Sequence, residues 1–270
     1  MHRFTVKFNL AEFENLDQLA LLADQDYNLG DTSSWFGEFR GGLYGFYSRL
    51  FGVMRHYAEV HAWTPSVRHQ HETEYHLSSI MFHMDSALEC LVFALNALGW
   101  ISLPAQFRDV ADAKALRKIS PLDVIGDATR TPMLLPSSGY GIIFPTLQSL
   151  WQGELTLIQQ IRDLHDVSKH RRTIYEGGQC RLDSPPEFYE LLGVPDVPEI
   201  RSQYWPMAEI ILKHEPKLPQ GQRAVPTQAG GKLLEDIVPS FAALVEATGK
   251  AALKDALLTV PLTERQFRSR

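Results

Sequence analysis

The chain has few cysteines and no excess of positive charge. Only two of its 270 residues are cysteine, Cys90 and Cys180. A fold stapled by several disulfides is therefore excluded, and the cytoplasm is the expected location. The formal net charge of -6 excludes a general electrostatic attraction to nucleic acid or to an anionic membrane. Any contact with nucleic acid must come from a local basic patch.

The short signatures of several enzyme classes are also missing. The chain contains none of the motifs Gly-x-x-x-x-Gly-Lys-Ser/Thr, Gly-x-Gly-x-x-Gly, His-Glu-x-x-His, Cys-x-x-Cys and Gly-x-Ser-x-Gly. P-loop enzymes, Rossmann dehydrogenases, zincins, simple zinc ribbons and ordinary serine hydrolases are excluded on this basis. What remains is a site built from histidine, carboxylate and basic side chains.

No targeting or membrane-spanning segment is expected. Residues 1–10 lack the charged region followed by an apolar stretch that is typical of a signal peptide. The most apolar segment, 77–103, is interrupted by His83, Asp85 and Glu89, which argues against a membrane span. We therefore expect a protein without membrane contacts.

Apolar residues recur at helical spacing over three long segments. They predict helices at about residues 43–62, 67–98 and 145–172. The third helix is expected to bury one stripe of side chains, namely Leu147, Leu150, Trp151, Ile158, Ile161, Leu164 and His165. The fold class is thus predicted to be mainly α, a helical bundle of three or more long helices. Residues 1–270 are expected to form one domain, with the core helices within 35–175.

Glycines set two of the predicted helix ends. Each of Gly41, Gly42 and Gly45 weakens a helix interior by about 1 kcal/mol, so the first long helix is expected to begin near Leu43. Gly99 is typical of the position just after a helix, so the second long helix is expected to stop there. The aromatic side chains of the first segment have helical spacing and are expected to be core.

The chain changes in character after residue 172. Residues 173–182 predict a short β-hairpin around the pair Gly177 and Gly178. Residues 194–230 are rich in proline and glycine, and residues 232–258 return to helical spacing despite Pro239. We therefore expect a C-terminal extension of mixed structure at 176–270.

Side chains that could bind a metal are spaced by seven residues on the second long helix: His69, His76, His83 and Cys90. A helical rise of 1.5 Å per residue puts successive members about 10 Å apart. One zinc ion, with bonds near 2 Å, cannot join them. These histidines are expected at the boundary between core and solvent, and no metal site or cofactor is predicted.

Segment 161–172, Ile-Arg-Asp-Leu-His-Asp-Val-Ser-Lys-His-Arg-Arg, carries the most concentrated chemistry. Because helical residues four apart lie on one face, Arg162, Asp166 and His170 form a row of cation, carboxylate and imidazole. Basic side chains surround the end of this row: Lys169, Arg171 and Arg172. A carboxylate can hold an imidazole in one tautomer, and the cations can bind phosphate. Such a combination is typical of sites that handle RNA or nucleotides.

This segment resembles the signature helix of the HEPN superfamily, whose ribonuclease members carry Arg-Asn-x-x-x-His, often after an apolar-Arg-Asp-apolar run. Residues 161–164 match the lead-in, His165 and Asp166 take the places of the Arg-Asn pair, and His170 takes that of the histidine. His165 therefore stands where the family has its phosphate-binding arginine. The resemblance implies a HEPN-like helical fold and, since such ribonucleases act as dimers, a homodimer.

Three hypotheses follow for the segment. The first is a non-catalytic module that binds RNA, a nucleotide or a protein partner, with the signature helix as scaffold. The second is a metal-independent endoribonuclease of a toxin or phage-defence system, with His170, Asp166, His165 and Arg162 as the catalytic group. There His170, kept basic by Asp166, takes the proton of the attacking 2′-hydroxyl, and arginines stabilise the charge on phosphate. In the third, the basic cluster only complements the negative end of its helix.

Overall fold

The described part of the protein is mainly α-helical. The computed structural model describes residues 6–27, 35–62, 70–126, 139–170 and 233–260, and no β-strand is present among them. This confirms the predicted helical class. The helices are α1 (Ala11–Tyr27), α2 (Trp35–Ala62), α3 (Gln70–Ser102), α4 (Ala113–Leu116), α5 (Pro121–Ile125), α6 (Gly139–Ile143), α7 (Pro145–Gly153), α8 (Leu155–His170) and α9 (Leu233–Thr259). The predicted hairpin at 173–182 lies outside the described residues.

The chain divides into two compact units. Unit 1 comprises Met1–Lys7, Phe51–Asp85 and Thr156–Phe241, and unit 2 comprises Phe8–Leu50, Ser86–Leu155 and Ala242–Arg270. Each unit is thus assembled from three separate segments of the chain. One boundary lies between Lys7 and Phe8, before α1, and the other four fall inside α2, α3, α8 and α9. The organisation of residues 1–270 as one domain stays a prediction.

Unit 1 contains the candidate functional helix α8. Its buried apolar side chains recur every three or four residues on each helix: Val53, Tyr57 and Val60 on α2; Leu77, Ile80, Met81 and Met84 on α3; Ile158, Ile161 and Leu164 on α8; Ile237, Val238 and Phe241 on α9. This spacing places one face of each helix in the core. It confirms the buried stripe that the sequence predicts for α8.

Helix α2 begins eight residues before its predicted start. It runs from Trp35 through all the glycines that were expected to delay it. A Cβ on Gly42 would lie 2.7 Å from the backbone nitrogen of Ala94, and one on Gly45 would lie 3.0 Å from Cys90 Sγ. These two glycines let α2 approach α3 closely within unit 2. Packing of the two helices therefore offsets the poor helix propensity of glycine.

Helix α3 likewise continues past its predicted end at Gly99, as far as Ser102. A Cβ on Gly99 would overlap the ring of Phe107, which is buried in unit 2. The glycine thus serves to admit an aromatic ring against the helix, and it does not end the helix. The prediction of a helix end at this residue is wrong for that reason.

The third predicted helix is two helices. Helix α7 ends at Gly153 and α8 begins at Leu155, with Glu154 at φ -99° and ψ 16° between them. The prediction of one continuous helix over 145–172 is therefore wrong at this point, where glycine is a poor helix former. In α7, Leu147 and Trp151 are buried as the sequence predicts, whereas Leu150 is only partly buried.

Asp255 of α9 caps the N-terminus of α7 within unit 2. Its Oδ2 accepts hydrogen bonds from the backbone N–H groups of Thr146, at 2.8 Å, and Leu147, at 3.0 Å. We expect Asp255→Ala to lower the free energy of unfolding by about 2 kcal/mol, since the cap is lost and two donors stay unpaired. Urea denaturation measures this change. Asp236→Ala, at an exposed position of the same helix, is the control, and an equal effect of both substitutions would contradict the capping role.

Candidate functional site on helix α8

Helix α8 brings part of the predicted row to the protein surface. Arg162 is exposed and Asp166 is partly exposed, one turn apart on the same helix. Lys169 and His170 are the last two residues of α8. Their side chains, and the whole of Arg171 and Arg172, lie outside the described part of the chain. The pairing of Asp166 with His170 therefore stays a prediction.

His165 lies in the core of unit 1. It is 8% exposed, and its Nδ1–H donates a hydrogen bond of 2.6 Å to Oδ2 of Asp85. Asp85 is on α3 and is itself 6% exposed. A short hydrogen bond to a carboxylate is among the stronger ones in proteins. Through this contact, the central residue of the candidate motif fastens α8 to α3.

A phenyl ring completes the surroundings of His165. Phe82 packs edge-on against the imidazole, with ring centroids 5.4 Å apart and an interplanar angle of 69°. Asp163, in the lead-in of the motif, is also buried. Asp163 and His165 are thus buried within unit 1. Arg162 is exposed and Asp166 is partly exposed.

The hydrogen bond between Asp85 and His165 fixes the imidazole in one tautomer. A neutral imidazole that donates from Nδ1 carries its lone pair on Nε2, which is how a carboxylate orients a general base in many hydrolytic enzymes. A general base must also reach its substrate. The burial of His165 supports a role in holding two helices together over one in catalysis.

A second cluster of histidines lies in unit 1. The sequence places His76 and His83 at the boundary between core and solvent, and both are partly exposed. His56 of α2, which the spacing of seven did not include, joins them. Its Nδ1 lies 2.8 Å from Nδ1 of His76, and its ring stacks on His83 with centroids 5.4 Å apart. His69 lies outside the described residues.

Gly52 makes room for this cluster. A Cβ at this position would lie 2.6 Å from the ring of His83. The absence of a side chain on α2 at this point lets the imidazole of α3 rest against the helix backbone. A glycine inside a helix, one turn before His56, was the only local hint of the contact.

The surroundings of His56 favour its neutral form. Burial lowers the pKa of this imidazole, and so do the nearby His76 and Arg55, while Glu59 acts in the opposite direction. Because one Nδ1 must donate and the other accept, the hydrogen bond between His56 and His76 is compatible with two neutral rings.

Cys90, the described cysteine, is not suited to act as a nucleophile. Burial raises the pKa of its thiol, which outweighs the opposing effect of Arg49 and of a hydrogen bond with Ser86. A thiol with a raised pKa is mostly protonated and unreactive at neutral pH. Cys90 instead packs against Gly45 of α2 within unit 2.

The described residues contain no group of three or more His, Cys, Asp and Glu side chains arranged to hold one metal ion. The part of α3 at Tyr75–Ser102 is long and apolar enough to cross a membrane by length and composition alone. However, 78% of the most apolar stretch is buried in the protein, as in the core helix of a folded domain.

Fold and site together define a mainly helical protein with a buried carboxylate–imidazole pair and a partly exposed polar row on one helix. Comparison of the chain with models of protein families, with curated proteins and with solved structures finds no match. The resemblance to the HEPN superfamily therefore rests on the residues of segment 161–172 alone.

Proposed function

We propose that this protein is a non-catalytic helical module that binds RNA, with α8 as its scaffold. The observation that carries the proposal is the burial of His165 against Asp85. In the HEPN resemblance this position belongs to an arginine that binds phosphate and must therefore reach the substrate. A side chain committed to holding α8 against α3 is not available for that task.

The choice of RNA as ligand rests on the charges of the same helix. Arg162 is exposed on α8, and the sequence adds Lys169, Arg171 and Arg172 at its end. Guanidinium groups bind phosphate oxygens through paired hydrogen bonds. Since the whole chain is acidic, binding to a polyanion would depend on this local cluster. By the same resemblance, we propose that the protein acts as a homodimer, and from its low cysteine content we propose that it does so in the cytoplasm.

The binding part of the proposal is tested with fluorescently labelled single-stranded RNA and the full chain. We expect wild-type protein to bind, and a variant with Arg162, Arg171 and Arg172 changed to Ala to bind more weakly and with a smaller dependence on salt. Lys254→Ala removes an exposed cation from α9 and is the matched control. Absence of RNA binding in the wild type would reject the proposal, and a screen for protein partners would then take its place.

The non-catalytic part is tested by incubation of the wild type and His170→Ala with mixed RNA. We expect intact RNA in both samples. Cleavage by the wild type that is lost in His170→Ala would overturn this part of the proposal. It would support instead the endoribonuclease hypothesis, in which His170 and Asp166 act together. A further variant, Asp166→Asn, would then distinguish a base kept active by its carboxylate from a histidine that acts alone.

A further inference from the structure

We propose that His56 and His76 form a two-imidazole site for a late first-row divalent cation, with Cu²⁺ bound most tightly. The two Nδ1 atoms lie 2.8 Å apart, one on α2 and one on α3. Both residues are partly exposed, so an ion can reach them from solvent. The site uses none of the residues assigned to RNA binding, and it stands or falls independently of that function.

The distance between the two nitrogens fits neighbouring positions around one ion. Imidazole nitrogens bind such ions at about 2.0 Å, so two neighbours in a square-planar site lie about 2.8 Å apart, and about 3.3 Å apart in a tetrahedral site. The observed separation is that of the hydrogen bond between the two rings, and it is compatible with the square-planar value. That geometry is typical of Cu²⁺ and Ni²⁺, and Cu²⁺ is the tightest-binding ion of the series.

Binding would replace the hydrogen bond that now joins the two rings. The ring that donates from Nδ1 would move its proton to Nε2, and both rings would turn their Nδ1 lone pairs toward the ion. Two neutral imidazoles thus become two ligands without net release of a proton.

The described residues would supply two ligands. Since the described residues hold no group of three or more metal-binding side chains around one point, water or a small anion would occupy the other positions. His83 is not a proposed ligand, and its ring stacks on His56 at an interplanar angle of 22°. Tyr75 adds an edge-on contact to His56 from the same helix, with ring centroids 5.7 Å apart.

Of the charged groups near the histidine pair, some oppose and others favour the binding of a cation. On α2, Arg55 opposes a cation next to His56, whereas the carboxylate of Glu59 favours one. On α3, the neighbouring groups are His76, His83 and Tyr75. A site of this composition has no oxygen cage of the kind that Mg²⁺ and Ca²⁺ prefer. We therefore expect selection of Cu²⁺, and less strongly of Zn²⁺ and Ni²⁺, over both of these ions.

The test uses the tag-free full chain after removal of metals with a chelator. Isothermal titration with Cu²⁺ should show one tightest site, with electron paramagnetic resonance indicating coupling to two imidazole nitrogens. His56→Asn and His76→Asn should each weaken this site by about 10-fold or more, because each removes one of the two imidazole ligands. Mg²⁺ at the same concentration should show no binding.

His83→Asn is the matched control, because it removes an imidazole of the same cluster that is not a proposed ligand. Its tightest Cu²⁺ affinity should stay close to that of the wild type. A loss in His83→Asn equal to the losses at His56 and His76, or wild-type affinity in both of those variants, would overturn the proposal.

A measurement on wild-type protein tests the assignment even if the variants fail to fold. In protein labelled with ¹⁵N at histidine, Zn²⁺ should shift the Nδ1 signals of His56 and His76 before those of other histidines. If Zn²⁺ shifts the signals of other histidines before those of His56 and His76, the assignment is overturned as well.

Discussion

Replacement of Asp85 by alanine is expected to lower the free energy of unfolding by about 3 kcal/mol. The substitution removes the acceptor of the 2.6 Å hydrogen bond from His165 and leaves a buried imidazole N–H without its partner. Loss of one partner from a buried charged hydrogen bond typically costs about 2 to 5 kcal/mol. Urea denaturation followed by circular dichroism measures the change.

Two further variants separate this contact from general effects of substitution. Asp166→Ala removes a partly exposed carboxylate one residue from His165 and should change stability by well under 1 kcal/mol. The double replacement of Asp85 and His165 by Leu should cost less than Asp85→Ala alone, because apolar side chains leave no polar group unpaired. Equal stabilities of Asp85→Ala and Asp166→Ala would show that the buried pair does not hold α8.

Replacement of Gly42 by alanine is expected to destabilise the protein by about 3 kcal/mol, although alanine is the better helix former. The new Cβ would lie 2.7 Å from the nitrogen of Ala94 and 2.8 Å from the carbonyl oxygen of Cys90. Both are backbone atoms, so the clash is relieved only if α2 and α3 move apart. Overpacking of a core typically costs about 1 to 3 kcal/mol, with higher values where the backbone must shift.

Substitution of the preceding residue, Gly41, is a control for which the opposite change in stability is expected. A Cβ on Gly41 would meet no atom within 4 Å, so Gly41→Ala should stabilise α2 by about 1 kcal/mol through helix propensity alone. Thermal unfolding of both variants beside the wild type tests the pair. A stabilised Gly42→Ala protein would mean that α2 and α3 are not in close contact at this residue.

The spacing of apolar residues along the sequence is sufficient to predict much of the helical core. Ile158, Ile161, Leu164 and His165 were predicted as one buried stripe from their spacing, and all four are buried. The errors at Gly42 and Gly99 have a different origin. In both cases the glycine faces a specific partner, Ala94 or Phe107, that is distant in sequence. Helix propensity describes the isolated segment and carries no information about such a partner.

In the candidate site, too, local spacing predicts which side chains are buried but not which distant residues they contact. Spacing along one helix was enough to place Arg162 and Asp166 toward solvent and His165 toward the core. His165 pairs with Asp85, which is 80 positions away in the chain. The local sequence around either residue does not predict this pairing. His56 was missed for a similar reason, because its imidazole meets His76 and His83 from a different helix.

The interleaving of the two units has a consequence for the order in which the chain can fold. The last segment of unit 1 ends at Phe241 and the last segment of unit 2 begins at Ala242, both within α9. On the ribosome, α2 and α3 emerge long before this helix, so both units are incomplete in the meantime. Native assembly of either unit can therefore finish only late in translation, when α9 has left the exit tunnel.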